Sequence, residues 1–450
     1  MAVSENNPTG SRKYTLGDLA RLMYLPAAFM ISFDIFLVFP LGGLNIRTAQ
    51  IFLLIPMTLF ALGTLRKGRV KRPIGFAYLL IWTAFILTFI PNTNFLLRSV
   101  GYGFWLIYSV ILILTTVNLF DTNDRIYTLT RWYIYSFLFV AIFGLIQFAM
   151  AFLHLGAPLL VQWFIPGVLP RINGFCYEPS FFCTYMLMGW ILTAYLVEAK
   201  SDLIRRNILI PILITLTAAM IMSGSRIGFL MILLWYLHYP FLFVVRLTRG
   251  KINKTHLKRS VAVILLMIPI IFMYFFLVGL DRISVLMSGL GIVEGGRFSV
   301  EQRMVGFAET REIFLKSPFI GYSLGGIPEA IGRLRGVDVN SVKAAKENEG
   351  FCVFAEVLAA SGIFGFIPFV LYIVSLIVNP VKLALGCLNI EMPKLLMGVT
   401  LALIFELIIL QFNQNILRPY LWFHIALLSA LYSVSLRPER AVDAGNRNLS

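Results

Sequence analysis

The sequence predicts an all-α polytopic membrane protein with about twelve transmembrane helices and one large extracytoplasmic loop. Three observations predict it. Of the 450 residues 59% are hydrophobic and only 13% are charged, with a mean hydropathy of +0.83, so the solvent of most of the chain is lipid. Apolar runs long enough to cross a bilayer as helix recur along the chain, separated by polar breaks. Lys and Arg alternate between abundance and scarcity from one break to the next.

The runs fall at 23–41, 51–65, 74–90, 102–119, 132–152 and 181–197, then at 208–222, 227–245, 261–280, 351–378, 395–412 and 420–436. A polar stretch of roughly twenty residues precedes the first run, with no small-residue cleavage site, which predicts that this span is retained rather than removed as a secretory signal. One set of alternate connections and ends holds Arg12, Lys13, Arg21, Arg66, Lys67, Arg69, Lys71, Arg72, Arg125, Arg131, Lys200, Arg205 and Arg206. The same set continues with Arg246, Arg249, Lys251, Lys254, Lys258, Arg259, Lys382, Lys394, Arg437, Arg440 and Arg447, making 24 of the 38 basic residues. The short connections of the other set hold Arg47, Arg98, Arg171, Arg226 and Arg418 alone, and the loop 281–349, too long for the rule, carries the rest. Both termini are therefore expected in the cytoplasm and the long loop outside. The net charge of +16 becomes largely an orientation signal, and nucleic-acid binding loses its support.

No internal repeat or low-complexity linker divides the chain, so 1–450 reads as a single membrane domain with the loop 281–349 as its one sizeable insertion. Within the loop, Ser299-Val300-Glu301-Gln302 fits a capping box, and Val300, Met304, Phe307 and Phe314 share a face of an amphipathic helix over about 300–316 that Lys316-Ser317-Pro318 ends. Such a helix lies on the outer leaflet or covers a site. Cys176, Cys183, Cys352 and Cys387 lack metal-ligand spacing and read as packing residues, and His154, His238, His256 and His424 are scattered. No protein-bound metal and no cofactor are expected.

With the basic connections set aside, each short outer connection retains one basic residue, always Arg. A guanidinium never deprotonates and grips phosphate bidentately, so arginines gathered at an outer surface suit a diphosphate; contact with lipid headgroups is the plainer role, assigned to Arg47 and Arg98. Arg171 sits in Leu169-Pro170-Arg171-Ile172-Asn173-Gly174-Phe175-Cys176-Tyr177-Glu178-Pro179-Ser180, irregular backbone at a span entrance, which in lipid should line a cavity. Glu178 precedes Pro179 at a predicted helix start, where it caps the helix or serves a site. Ser223-Gly224-Ser225-Arg226 is a minimal outer turn whose amides and Arg226 can form an anion nest.

Arg303 to Gly326, running Arg-Met-Val-Gly-Phe-Ala-Glu-Thr-Arg-Glu-Ile-Phe-Leu-Lys-Ser-Pro-Phe-Ile-Gly-Tyr-Ser-Leu-Gly-Gly, resembles the O-antigen polymerase and ligase superfamily. The family pattern is an Arg-led helix ending in Pro-x-x-Gly, then Asn shortly before a Glu-x-x-x-x-x-Gly-x-x-Gly span. Here these are Arg303, Pro318, Gly321, Asn348, Glu356, Gly362 and Gly365. The upstream Arg-x-x-Gly-Phe-x-x-Glu-Pro-Ser and Ser-x-Ser-Arg-x-Gly elements look like those of the polymerase branch, so the likeness covers about 171–365.

The resemblance implies a membrane-embedded glycosyltransferase that joins oligosaccharides carried on undecaprenyl pyrophosphate, at the periplasmic face of a bacterial inner membrane, without a nucleotide sugar or a required metal. A chain-length regulator protein is the partner it implies besides the lipid bilayer. Ligases of the superfamily carry His just before the loop Asn; Glu347 stands there in this sequence, which favours polymerase over ligase. In such a reaction Arg171, Arg226 and Arg303, with Arg297 and Arg418 nearby, hold the leaving pyrophosphate, and Glu347, Glu349 or Glu178 accepts the proton of the attacking hydroxyl. Asn173, Asn348, Gly321 and Tyr322 bind sugar or shape the loops. A salt bridge to the arginines is the plainer role of the acids. A transporter of lipid-linked oligosaccharide needs ionisable groups across the bilayer, for which Asp34, Glu356 and Glu406 are the obvious buried acids.

Overall fold

In a lipid solvent the backbone is the polar group that must be satisfied, and helix does so within each segment. The computed structural model describes residues 15–41, 44–68, 70–92, 96–160, 162–248, 261, 297–339, 341–350, 352–412 and 416–436, and helix dominates them. The first helices are α1 Leu16–Met30, α2 Thr48–Lys67, α3 Phe76–Thr88, α4 Leu96–Leu119, α5 Asn123–Phe152, α6 Pro179–Glu198, α7 Arg206–Met222 and α8 Arg226–Thr248. The later ones are α9 Arg297–Lys316, α10 Ile327–Arg335, α11 Val342–Glu347, α12 Val353–Leu385, α13 Glu391–Ile409 and α14 Pro419–Ser435. Two small antiparallel hairpins interrupt them, β1 Val38–Leu41 with β2 Leu44–Arg47 and β3 Trp163–Ile165 with β4 Leu169–Pro170.

Six described helices (α2, α4, α5, α6, α12 and α13) are long and apolar enough to cross a membrane, and α3, α7 and the first part of α8 are shorter apolar helices. The chain is a mostly helical protein fit for a membrane. Helix α14 is buried around its whole circumference over residues 419–431, as a helix hydrophobic on every side must be, and packs on α4, α13 and α5. The span predicted at 261–280 lies, beyond residue 261, outside the described residues, as does the stretch 281–296 of the predicted loop.

Cross-links sort the connections into two ends. At one end the Asp34 and Ile35 N–H groups donate to the Phe175 carbonyl, Ile172 N–H donates to Met222 O and Val353 N–H to Leu410 O. There too Arg98 reaches Glu349 and Arg418 reaches Asp34. At the other end Lys71 pairs with Asp121, Arg131 Nε donates to Leu203 O, and the Asp202 and Leu203 N–H groups donate to Glu391. Successive connections alternate between the ends, as helices of alternating direction require. The first end carries the five connections with a single arginine each.

Two predicted boundaries are corrected. The first helix runs Leu16–Met30 rather than 23–41, because a capping box between Thr15 and Asp18 starts it early. The apolar run continues past its end: residues 38–41 pair as a strand with 44–47, turned there by the bonds of Asp34 and Ile35 to Phe175. The loop helix already runs from Arg297, so Ser299 lies inside it and does not cap it; its end at Lys316 is where Ser317-Pro318 places it.

Candidate functional site

At the single-arginine end, α12 is a broken helix. Gly362 adopts φ 55° and ψ −173° inside it, a conformation open in practice to glycine alone. The break frees carbonyls and amides that lipid cannot satisfy, and the segment after α9 satisfies them. Tyr322 and Ser323 donate their N–H groups to Ala359 O (3.1 Å) and Ala360 O (2.8 Å), while Ile363 and Phe364 donate to Pro318 O (2.8 Å) and Phe319 O (3.3 Å). Gly321, at φ +68°, lies so close that a Cβ would stand 2.5 Å from Ala359 O. Gly325 sits against α4, where a Cβ would meet Ser99 Cα at 2.5 Å. The Pro-x-x-Gly element thus locks the loop onto the spans, and Gly321 and the Tyr322 backbone shape the loop.

This docking forms one wall of a small, partly open cleft whose lining includes Arg98, Tyr102, Leu324, Pro328, Glu349 and Glu356. Arg98, 11% exposed, donates through Nη2 to Glu349 Oε1 at 2.6 Å and to the Tyr102 hydroxyl at 2.9 Å. Its Nε is buried with no acceptor among the described residues. Glu356, in the first turn of α12, shares the cleft, and Gly350 leaves room for it beside Thr310 of α9. Two carboxylates, one guanidinium and one phenol therefore converge where water access is restricted.

Arg335 ties α9 to the segment that carries Glu349. It grips Glu309 of α9 with two bonds of 2.7 Å and donates Nη1 to Glu347 O (3.1 Å) and Asn348 Oδ1 (2.9 Å); the Glu309 carboxylate pushes its already high pKa further up. Asn348 is buried, with Nδ2 on Ala344 O at 2.8 Å. Of the three predicted acids, Glu349 alone lies in the cleft. The Glu347 side chain is exposed, and Glu178 is the exposed N-cap of α6, where it accepts from Ser180 Oγ at 3.0 Å rather than capping backbone.

The predicted arginines divide. Arg171 donates Nε to Ser223 O (3.0 Å), Nη2 to Gly224 O (3.3 Å) and Nη1 to Gln162 Oε1 (3.3 Å), so it braces the 223–225 turn that presents the half-buried Arg226 at the start of α8. Asn173 is buried and holds its own loop through Leu159 O and Cys176 O. Arg418, the N-cap of α14, pairs with Asp34 at 3.0 Å and lies over the Phe181 ring. Arg303 and Arg297 are on α9, with side chains outside the described residues.

Arg47 and Arg98, assigned from sequence to lipid headgroups, are instead ion-paired to Asp34 and Glu349. Sequence reasoning did not place Arg98, Tyr102 and Glu356 in one site. The signal that could have found Arg98 was present, since it is one of the five lone outer arginines. Neither the models of protein families nor the curated proteins searched contain a match to this chain.

Proposed function

We propose that the chain is a polymerase that joins undecaprenyl-pyrophosphate-linked oligosaccharide repeat units into surface polysaccharide at the periplasmic face of a bacterial inner membrane. The observation that carries this reading is the cleft, in which Glu349 and Glu356 converge with Arg98 at the arginine-bearing end of the bundle. Both termini are assigned to the cytoplasm from the uneven distribution of Lys and Arg.

In this mechanism an acceptor sugar hydroxyl enters the cleft and attacks the anomeric carbon of the donor. The new glycosidic C–O bond forms as the bond from that carbon to the diphosphate oxygen breaks. The diphosphate leaves with the electron pair, and the hydroxyl proton passes to a cleft carboxylate, Glu349 in the first instance. Arginines at the same end, Arg226, Arg303, Arg297 and Arg418, stabilise the departing charge, and a partly dry setting strengthens each such contact. Arg171 acts by holding the turn that carries Arg226. A separate chain-length regulator is the protein partner such an enzyme calls for.

A transporter of lipid-linked oligosaccharide is the second reading, favoured by one observation. Glu406 of α13 is fully buried, and neither carboxylate oxygen has a partner among the described residues, as an ion-coupling acid within a membrane stands. Gel analysis of surface polysaccharide from a strain lacking the chain separates these. Loss of the ladder with a single repeat retained on the anchor is the polymerase result; loss of all repeats from the anchor is the result for a ligase or a transporter and would overturn the proposal.

A further inference from the structure

Asp34 is 3% exposed and stands between two arginines: Arg47 Nε donates to Oδ1 at 2.6 Å and Arg418 Nη1 to Oδ2 at 3.0 Å. One carboxylate neutralises one guanidinium, so the cluster keeps an excess positive charge. Two further features add to it. Arg47 is the N-cap of α2 and Arg418 the N-cap of α14, so the positive ends of two long helices face the same place. Cations are disfavoured at helix N-termini, and here two meet.

The donors are also in excess. Each guanidinium carries five N–H groups, and among the described residues Asp34 is the one carboxylate bonded to either. Arg418 is 7% exposed, and its Nε is buried with no acceptor among the described residues. Phe181 covers the guanidinium face at 4.1 Å, which leaves its N–H edge for any further partner. Glu349 is a further acid near Arg418, and that carboxylate is held by Arg98 at 2.6 Å. Cys176 and Tyr420 also lie near Arg418. A buried charge without a counter-ion is strongly unfavourable, whereas an oxyanion would satisfy the charge, the donors and the helix ends together. Arg47, 16% exposed, opens the cluster to the outside.

We propose that Arg47, Arg418 and Asp34 form a seat for a phosphate-class oxyanion, with the two guanidiniums binding it and Asp34 fixing their orientation. The seat shares Arg418 with the diphosphate contacts proposed above and in that respect rests on that reading, but it includes neither Glu349 nor Glu356. The same chemistry is offered by the headgroup of an anionic lipid and by a free or saccharide-linked phosphate.

The test is calorimetric titration of the full-length protein, purified in a maltoside detergent, with inorganic pyrophosphate and separately with short-chain phosphatidylglycerol, against sodium chloride. At least one probe should bind with a submillimolar Kd. Arg47→Gln should weaken it about tenfold or more, the scale of one charge-assisted hydrogen bond, and Arg47→Lys should weaken it less. Asp34→Asn should bind at least as tightly as the parent, because it removes the competing negative charge. Binding of pyrophosphate alone identifies a free or saccharide-linked phosphate and binding of phosphatidylglycerol alone a lipid headgroup; either supports the seat. No binding of either probe above chloride, or parental affinity in Arg47→Gln, overturns it. Arg47 is partly exposed, so its two variants keep the test decisive even where a change at Asp34 prevents folding. Because binding rather than transfer is read, failure here removes Arg418 from the diphosphate contacts, whereas failure of the polymerase reading itself shows as absence of elongation.

Discussion

Gly362 is where a single methyl group should separate the loop from the membrane helices. An alanine there must hold φ near 55° with extended ψ, and its Cβ would overlap the Phe319 carbonyl and the Ile320 amide nitrogen. Backbone cannot swing aside as a side chain can. The strain is roughly 1–3 kcal/mol, and if the docked segment lifts away, four backbone bonds are lost at about 1 kcal/mol each. The total, about 5–7 kcal/mol, is comparable with the whole stability of many proteins. Gly362→Ala should therefore lower the melting temperature of the detergent-purified protein and speed tryptic cleavage after Lys316, at the start of the docked segment. Gly63→Ala is the control, since a Cβ there meets nothing within 4 Å and alanine is the better helix former. A Gly362→Ala protein that melts and is cleaved like the parent would refute the docking argument.

Three further outcomes follow from the same contacts. Arg98→Ala strands the Glu349 carboxylate in a site where that residue is 20% exposed, so it should cost about 3 kcal/mol, the low end for a broken buried pair. Adding Glu349→Ala should restore part of the loss, and strictly additive melting shifts would contradict the pairing. Arg171→Ala removes two bonds to the 223–225 turn and should reduce folded protein by size-exclusion chromatography, whereas Arg226→Ala should abolish polymer at unchanged protein level; equal yields from both would contradict the division. At the other end, burial alone would raise the Asp121 carboxyl, but Lys71 and Arg125 hold it below its ordinary value. An acid depressed in the fold stabilises above its unfolded pKa of about 3.9 and loses that contribution as pH falls through the lower folded value. Melting temperature should fall across that acid window, less steeply in Asp121→Asn, and parallel curves would exclude the effect.

Much of the fold was legible because lipid imposes long apolar helices, and every predicted span among the described residues carries helix. Pro and Gly marked real boundaries: Pro179 opens α6, Gly224 turns α7 into α8, and Ser317-Pro318 follows the end of α9. The first helix was misplaced because Ile35, Phe36, Val38 and Phe39 are as apolar in a hairpin as in a span. The site was only partly legible. Arginines at the outer connections could be counted, but their partners lie far away in the chain: Glu349 is 251 residues from Arg98 and Asp34 is 384 from Arg418. No local periodicity encodes such pairs. Nor could the sequence distinguish Arg171, bonded to backbone carbonyls, from Arg226, which its turn presents.

The most direct test of the polymerase reading is elongation by the purified protein in liposomes, supplied with lipid-linked oligosaccharide extracted from a strain lacking the chain. Products should lengthen by whole repeat units without a nucleotide sugar, and Glu349→Gln should slow this about 10²- to 10⁴-fold while leaving substrate binding near the parental level. Substrate that crosses the bilayer without ever lengthening would contradict the account and assign the protein to transport.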